Sequence, residues 1–311
     1  MSNSDVAESD GRSSEENKEE QHTSSVNEHS SKNASQVKKT KKSQMTDLRK
    51  YSTEQIKVMK PSKNIDNSFK NMKISDASFL NDLDGRSACS VCGKSRKYFC
   101  YTCHIPLANI ADKIPKIRLP CKVDVIKHPR EIDGKSTAVH AAVIAPEDVQ
   151  IYTYPDIPDY SNEGDVLLIF PDKEAIRLED LWTCLEKQTH RQSQEPEVKR
   201  TKPQLPFTRA LFIDCTWNQT RKIYNDERVQ GLQCVELTSR DTLFWRYQRG
   251  KPKTYLATIE AIYYFIIDVH THVLKQEYHH EYDDLLFFFK YMFEKIHSIY
   301  DKDTLRAYKD V

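Results

Sequence analysis

Short apolar runs separated by helical patterns are the feature that most constrains the fold of this chain. Four runs are predicted as strands because they are short, apolar or alternating, and bounded by polar residues or proline. They are Cys121–His128, Asp165–Pro171, Phe207–Ile213 and Leu232–Leu237. The predicted helices span residues 135–144, 174–187, 216–226, 258–273 and 283–300. Strands that alternate with helices predict an α/β domain with a mostly parallel sheet.

Two parts of the chain lack any such pattern. Residues 1–85 carry almost no apolar periodicity, and they are predicted as a disordered tail because little apolar surface offsets the entropy of ordering. Residues 188–206 are predicted as a flexible insert. The tail contains a basic cluster, which is either a nuclear address, a nucleic-acid contact or a solvated charge run. Its residues are Lys38, Lys39, Lys41 and Lys42. We expect nuclear residence, with cytoplasmic residence also open.

The bulk charge and apolar content exclude several classes of protein. The net charge is +1, so any nucleic-acid surface must be local. No apolar stretch approaches the roughly 20 residues that a membrane-spanning helix needs, and no signal-peptide pattern opens the chain. We therefore expect a soluble intracellular protein whose eight cysteines are not a disulfide framework. No glycine-rich dinucleotide or P-loop motif follows a predicted strand, which disfavours those sites.

Four cysteines within fifteen residues form two C-x-x-C knuckles. They are Cys89, Cys92, Cys100 and Cys103. This spacing supplies four thiolates to a tetrahedral zinc ion, and Gly93 after the first knuckle suits a tight turn. His104 is an alternative ligand, but four sulfurs already complete the shell. The pattern predicts a structural zinc ribbon over residues 86–105, ahead of the α/β domain at 106–311.

Two segments combine cations with aromatic rings, the combination that single-stranded RNA contacts use. The cations in the ribbon loop are Lys94, Arg96 and Lys97, and those in the track at 244–253 include Arg246, Arg249 and Lys251. In the ribbon loop, Tyr98 and Phe99 either stack on RNA bases or pack the ribbon against the main domain. The second segment is otherwise a solvated surface loop.

The tetrapeptide Asp214-Cys215-Thr216-Trp217 follows the third predicted strand directly. Asp214 is either the N-cap of the next helix or a base at the carboxyl edge of the sheet. Trp217 is either a core residue or a plate that stacks on a base or an adenine. Further along, Thr258-Ile259-Glu260-Ala261 opens a helix whose free amides are suited to an anion such as a carboxylate.

Together these motifs resemble the DTW-domain family. The string Asp-x-Thr-Trp behind a buried strand is the family signature. The other pieces occur in the expected order: the cysteine knuckles, His128-Pro129, Lys135-Ser-Thr, Phe170-Pro171, Tyr247-Gln-Arg249 and Thr258-Ile-Glu-Ala. The resemblance covers about residues 86–273. One departure is Cys215, which stands where the family often has a smaller residue such as glycine.

The resemblance implies a tRNA-uridine aminocarboxypropyltransferase. Such an enzyme transfers the 3-amino-3-carboxypropyl group of S-adenosylmethionine to N3 of a uridine in the tRNA D-loop, giving acp3U and methylthioadenosine. It also implies a SPOUT-like fold, related to the trefoil-knotted methyltransferases, with S-adenosylmethionine held by loops at the carboxyl ends of strands. The candidate residues for that site are Phe170, Pro171, Ile213, Cys215, Leu237, Thr258 and Glu260.

Within this expected reaction the signature residues take distinct roles. We expect Asp214 to accept the N3 proton, Thr216 to align the acid or the uracil edge, and Trp217 to stack on the base. Two alternatives stay open: an S-adenosylmethionine-dependent RNA methyltransferase, and a zinc-ribbon RNA-binding protein without catalysis. The oligomeric state and the identity of the uridine do not follow from the sequence.

Overall fold

The structure, a computed structural model, describes residues 68–163, 165–184, 205–246 and 252–300. At positions 217 and 218 it describes the backbone alone. The basic cluster, the tail up to residue 67 and nearly all of the 188–206 insert lie outside the described residues.

A small two-hairpin unit comes first in the described chain. Strand β1 (Ser87–Ala88) pairs antiparallel with β2 (Ser95–Arg96), and β3 (Phe99–Cys100) pairs antiparallel with β4 (Ile105–Pro106). Each two-stranded sheet carries one of the predicted cysteine knuckles at or beside its strands. The arrangement is the ribbon expected from the cysteine spacing.

A six-stranded parallel sheet forms the centre of the α/β region, with strand order β6-β5-β9-β7-β10-β8. Its strands are β5 (Lys122–Lys127), β6 (Val149–Thr153), β7 (Val166–Ile169), β8 (Ile176–Arg177), β9 (Arg209–Asp214) and β10 (Gln233–Glu236). The register pairs Lys127 at the end of β5 with Asp214 at the end of β9. A parallel sheet places such strand ends at one edge, where loops can build a site.

Helices cover both faces of this sheet, as the apolar strands require. The helices are α1 (Ala138–Ile144), α2 (Trp217–Tyr224), α3 (Thr258–Asp268) and α4 (Phe287–Ile299). Val125 and Phe212 belong to the larger core cluster, which includes residues of α1, α3 and α4. Ile126 and Leu211 alternate to the other face, where they share a cluster with Ile223 of α2. The prediction of an α/β fold with a parallel sheet is confirmed.

Three elements differ from the sequence prediction. Strand β6 at the sheet edge was not predicted. Strand β8 lies inside the stretch predicted as a helix over 174–187. Its two residues pair with β10 and form the far edge of the sheet. The helix predicted over 258–273 changes from α to π geometry at Val269–Val273. No helix in the described ranges is long and apolar enough to cross a membrane.

Candidate functional site

Asp214 lies at the carboxyl edge of the sheet with a side chain that is only 7% exposed. The hydroxyl of Ser136 donates to its Oδ2 at 2.6 Å, and the hydroxyl of Thr258 donates to its Oδ1 at 2.6 Å. Both distances are in the range of short hydrogen bonds between a hydroxyl and a carboxyl oxygen. The backbone N–H of His128 also donates to the Asp214 carbonyl at 3.1 Å. Asp214 therefore joins the loop before α1, the end of β9 and the start of α3.

Strand alternation explains why Asp214 points toward these segments. Asp214 has the same parity in β9 as Ala210 and Phe212, which belong to the core cluster shared with α1 and α3. The hydroxyl oxygen of Thr137 accepts a hydrogen bond from the Ile259 amide at 3.2 Å, so the two segments also contact each other. Three motifs that are far apart in sequence thus meet at one carboxylate.

The N-cap of α2 is Thr216, so the alternative that Asp214 caps this helix is wrong. Thr216 has extended backbone angles, and its amide donates to the side-chain Oε1 of Gln219 at 3.2 Å. Its own side chain is exposed. The Trp217 side chain lies outside the described structure, and both interpretations of it stay predictions.

A cavity of about 290 Å³ lies at the carboxyl ends of β7, β9 and β10. This is where ligands of open α/β sheets bind. Six of the seven residues predicted for the S-adenosylmethionine site line it: Phe170, Pro171, Ile213, Cys215, Leu237 and Thr258. The walls combine aromatic and aliphatic side chains with hydroxyl groups, which suits a ligand with an apolar ring and polar substituents.

Glu260 does not line this cavity and has a different environment. It is 2% exposed, and its carboxylate accepts hydrogen bonds from the Ala257 amide at 2.7 Å, the Leu243 amide at 2.7 Å and the Thr242 hydroxyl at 2.5 Å. Burial raises the pKa of Glu260, although these donors oppose the shift. With the Ile259 amide held by Thr137, protein groups already occupy much of the helix start predicted to bind an anion.

The cavity also contains polar residues that the sequence analysis missed, at positions 238–239 and 254–255. The first pair lies just beyond the end of β10, after Leu237, so the rule that ligands bind beyond strand ends could have found it. The second pair belongs to a loop that reaches the cavity through tertiary contacts, including a backbone hydrogen bond of 2.8 Å from Thr242 to Lys253. No local pattern indicates that contact.

Charged groups surround Asp214 on the loop between β5 and α1. Lys127 is 8% exposed, and its ammonium lies 2.9 Å from the Asp133 carboxylate. The guanidinium of Arg246 donates to the Lys135 carbonyl at 2.5 Å, and burial lowers the pKa of Arg246. Arg246 therefore braces this loop and does not extend freely toward an RNA strand. The other predicted cations of that track, at positions 249 and 251, lie outside the described residues.

The four knuckle cysteines form one cluster whose sulfur atoms all lie within 4.8 Å of one another. Tetrahedral zinc with Zn–S bonds of about 2.3 Å needs such a separation. The Cys103 amide donates to the Cys100 sulfur at 3.4 Å, which stabilises a thiolate. Gly93 and His104 follow the two knuckles with φ of 67° and 56°, so each knuckle ends in the same left-handed turn. The cluster fits a structural zinc ion, and His104 occupies a turn outside it.

Contacts of the ribbon with the main domain show that its aromatic residues pack inward. Tyr98 and Tyr291 share a hydrogen bond of 3.0 Å between their hydroxyls, and the rings of Phe99 and Phe288 lie 4.7 Å apart. Arg96 is 7% exposed, with its guanidinium 3.7 Å from the centre of the Tyr101 ring.

For Tyr98 and Phe99 the structure therefore shows the alternative in which they pack the ribbon against the main domain. The Arg96 guanidinium packs on the Tyr101 ring within the ribbon and is not a free cation. Lys94 is exposed, and Lys97 is half-buried with its ammonium 5.6 Å from the centre of the Tyr98 ring. Contact of these two lysines with RNA stays a prediction.

Comparison with known proteins places this site in a family. Residues 97–297, more than half of the chain, match the DTW domain. The chain belongs to the DTW domain family. The matched range holds the full α/β sheet and all the segments that meet at Asp214.

Several curated proteins resemble the chain over most of its length. The tRNA-uridine aminocarboxypropyltransferase 1 of Xenopus tropicalis is 46% identical over 256 residues, which cover 75% of this chain and 87% of the relative. The human protein of the same name is 45% identical over 246 residues, covering 71% of this chain and 81% of the relative. The mouse protein is 45% identical over 237 residues, covering 68% and 77%. No solved structure matches significantly, and the relation to knotted methyltransferases stays a prediction.

Proposed function

We propose that this protein is a tRNA-uridine aminocarboxypropyltransferase. It transfers the 3-amino-3-carboxypropyl group of S-adenosylmethionine to N3 of a D-loop uridine and releases methylthioadenosine. The activity for which relatives about 45% identical are named supports this proposal. The observation that carries it in the structure is Asp214 of the family signature, held by Ser136 and Thr258 beside a cavity at the sheet edge.

The donor substrate fits the cavity in chemical character. Bound there, S-adenosylmethionine supplies a carbon next to a sulfonium centre that a nitrogen nucleophile can attack. Phe170 and Leu237 provide apolar walls for its adenosine, and the hydroxyls at positions 238–239 and 254–255 provide hydrogen-bond partners. Asp214 fixes the relative positions of the three segments, which keeps the reacting groups aligned.

The acceptor is a nucleotide outside a duplex. Watson–Crick pairing hides N3 of uridine, so the substrate must be a loop nucleotide or a flipped one. A D-loop uridine meets that requirement. In this proposal Lys94 and Lys97 of the ribbon, whose four cysteines bind zinc, contact the tRNA backbone together with the predicted cations at positions 249 and 251. Nuclear residence stays a prediction, because it depends on the basic cluster of the tail.

The test is incubation of the full-length protein with unmodified tRNA and S-adenosylmethionine. Methylthioadenosine as the released product, with a mass gain of one aminocarboxypropyl group on a D-loop uridine, supports the proposal. Release of S-adenosylhomocysteine with methylated RNA identifies a methyltransferase, and tRNA binding without either product identifies a binding protein. Asp214→Ala is expected to abolish transfer while tRNA binding persists.

A further inference from the structure

The loop between β5 and α1, residues 128–137, is fixed to Asp214 at both ends. The His128 amide donates to the Asp214 carbonyl at 3.1 Å, and the Ser136 hydroxyl donates to the Asp214 carboxylate at 2.6 Å. Within this loop, the Glu131 amide donates to the His128 carbonyl at 2.9 Å. Glu131 therefore lies in a loop whose two ends are both hydrogen-bonded to the signature acid.

The charged neighbours of Glu131 are largely engaged with other groups. Lys127 pairs with the Asp133 carboxylate at 2.9 Å, and its ammonium lies 3.4 Å from the Glu131 carbonyl oxygen. Arg246 donates to the Lys135 carbonyl at 2.5 Å.

In the part of the chain that the structure describes, no donor lies within hydrogen-bond distance of the Glu131 carboxylate. Glu131 is nevertheless only half-exposed. A carboxylate on a half-exposed residue, with no donor bonded to it, is an acceptor suited to a proton from a substrate.

Asp214 is less suited to accept that proton. Each of its oxygens already accepts a short hydroxyl bond, and its side chain is 7% exposed. Moving a proton onto it would weaken the bonds that hold Ser136 and Thr258. The geometry instead favours Asp214 as the residue that positions the site.

We propose that Glu131 is the general base that accepts the N3 proton of uridine. This inference rests on the proposed function and names a residue that the sequence analysis did not single out. As the proton moves to the Glu131 carboxylate, the electron pair of N3 forms a bond to the γ-carbon of the methionine part of S-adenosylmethionine. The carbon–sulfur bond breaks with its electron pair going to sulfur, which leaves neutral methylthioadenosine, and Glu131 then returns the proton to solvent.

The electrostatic surroundings suit this role. Burial is the largest cause that raises the pKa of Glu131, and the charge of Asp214 adds to it, while Arg246, Lys127 and Lys135 oppose the shift. Burial raises the pKa of the Cys215 thiol to about 11, and the charges of Asp214 and Glu131 add to this shift, so the thiol stays neutral near pH 7. A raised pKa brings a carboxylate closer to the operating pH, where a base is most effective. Transfer should therefore slow as the pH falls through the pKa of Glu131.

The experiment measures the pH dependence of single-turnover transfer with the full-length protein, unmodified tRNA and S-adenosylmethionine. Glu131→Gln is expected to slow transfer by about 100-fold or more and to remove the acidic limb of the profile. The affinities for tRNA and for S-adenosylmethionine should stay within about twofold of those of the parent. The midpoint of thermal unfolding should stay within a few degrees. Glu131→Asp keeps a carboxylate and should keep the limb at a reduced rate. Glu227→Gln makes the same chemical change at an exposed position and serves as the control.

Three results would overturn the inference. The first is a Glu131→Gln variant as fast as the parent. The second is a slow variant that keeps the acidic limb, and the third is a variant whose only defect is a raised KM for S-adenosylmethionine, which would indicate an ammonium-binding role. Absence of transfer by the parent protein would refute the proposed function itself, so the two failures are distinguishable.

Discussion

A buried histidine beside the site gives a prediction with a calculable size. His140 in α1 is 5% exposed, and its ring packs against the rings of Phe99 and Phe288 at 5.5 and 5.9 Å. Its Nδ1 has no hydrogen-bond partner among the described residues. Burial, with a smaller contribution from Arg246, lowers the pKa of His140 to about 3. The folded protein therefore keeps this ring neutral, whereas the unfolded chain protonates it at about pH 6.5.

The sign and magnitude follow from proton linkage. The pKa of His140 is lower in the folded protein than in the unfolded chain. The unfolded chain therefore gains a proton first as the pH falls, and the free energy of unfolding decreases progressively between about pH 6.5 and pH 3. A pH of 4.5 lies about 2 units below the unfolded pKa of about 6.5, and each unit corresponds to 1.36 kcal/mol. The free energy of unfolding at pH 4.5 is therefore about 2.7 kcal/mol lower than above pH 6.5. A variant without a titrating ring does not suffer this loss.

We expect His140→Gln to be less stable than the parent at pH 7, by about 1–3 kcal/mol, because it loses the ring contacts. This deficit should shrink by about 2.7 kcal/mol at pH 4.5. The assay is urea unfolding of both proteins at each pH. Acid also loosens a cysteine metal site, so the measured quantity is the difference between variant and parent. The exposed His279→Gln is the matched control. Parallel stability curves for His140→Gln and the parent would refute the reasoning.

Three further predictions concern the site and the ribbon. Ser136→Ala and Thr258→Val each remove a bond to Asp214 and should each reduce kcat/KM by an amount equivalent to about 1.5–3 kcal/mol. Their effects should not add, because both hydroxyls act on one carboxylate; additive losses in a double-mutant cycle would contradict a shared role. Glu260→Ala leaves three donors without an acceptor and should lower the free energy of unfolding by about 3 kcal/mol or more. Urea unfolding measures this change, and an unchanged midpoint would argue against a bracing role for Glu260. Chelation of zinc should raise amide exchange across residues 86–105 and weaken tRNA binding more than S-adenosylmethionine binding; unchanged tRNA affinity would exclude the ribbon as a contact.

The strands that the sequence predicted well are those whose burial is visible in local composition. β7 and β9 are continuous apolar runs because helices cover both of their faces. The edge strand β6 has a weaker pattern, with a polar residue between its first two apolar positions. β8 is only two residues long and exists through its pairing with β10, so no local signal specifies it.

The site was predictable where it depends on strand ends and not where it depends on contacts between distant segments. Ile213 and Leu237 follow from the rule that ligands bind beyond the carboxyl ends of strands. The bond from Ser136 to Asp214 spans 78 positions, and only the fold brings the two side chains together. Arg96 illustrates the opposite error: an arginine beside aromatic residues has the same sequence pattern whether its guanidinium faces solvent or packs on a ring.

The packing of the ribbon against α1 has a consequence for how a nucleotide is chosen. Phe99 contacts His140, and the His140 amide donates to the Thr137 carbonyl at 3.0 Å, one residue beyond the serine that holds Asp214. These contacts link the cysteine knuckles to the edge of the sheet where Asp214 lies. In the proposed reaction, a ribbon that holds the tRNA backbone would select the uridine by the distance between the ribbon and the site at Asp214. Lengthening the D-loop by one nucleotide would then shift the modified position.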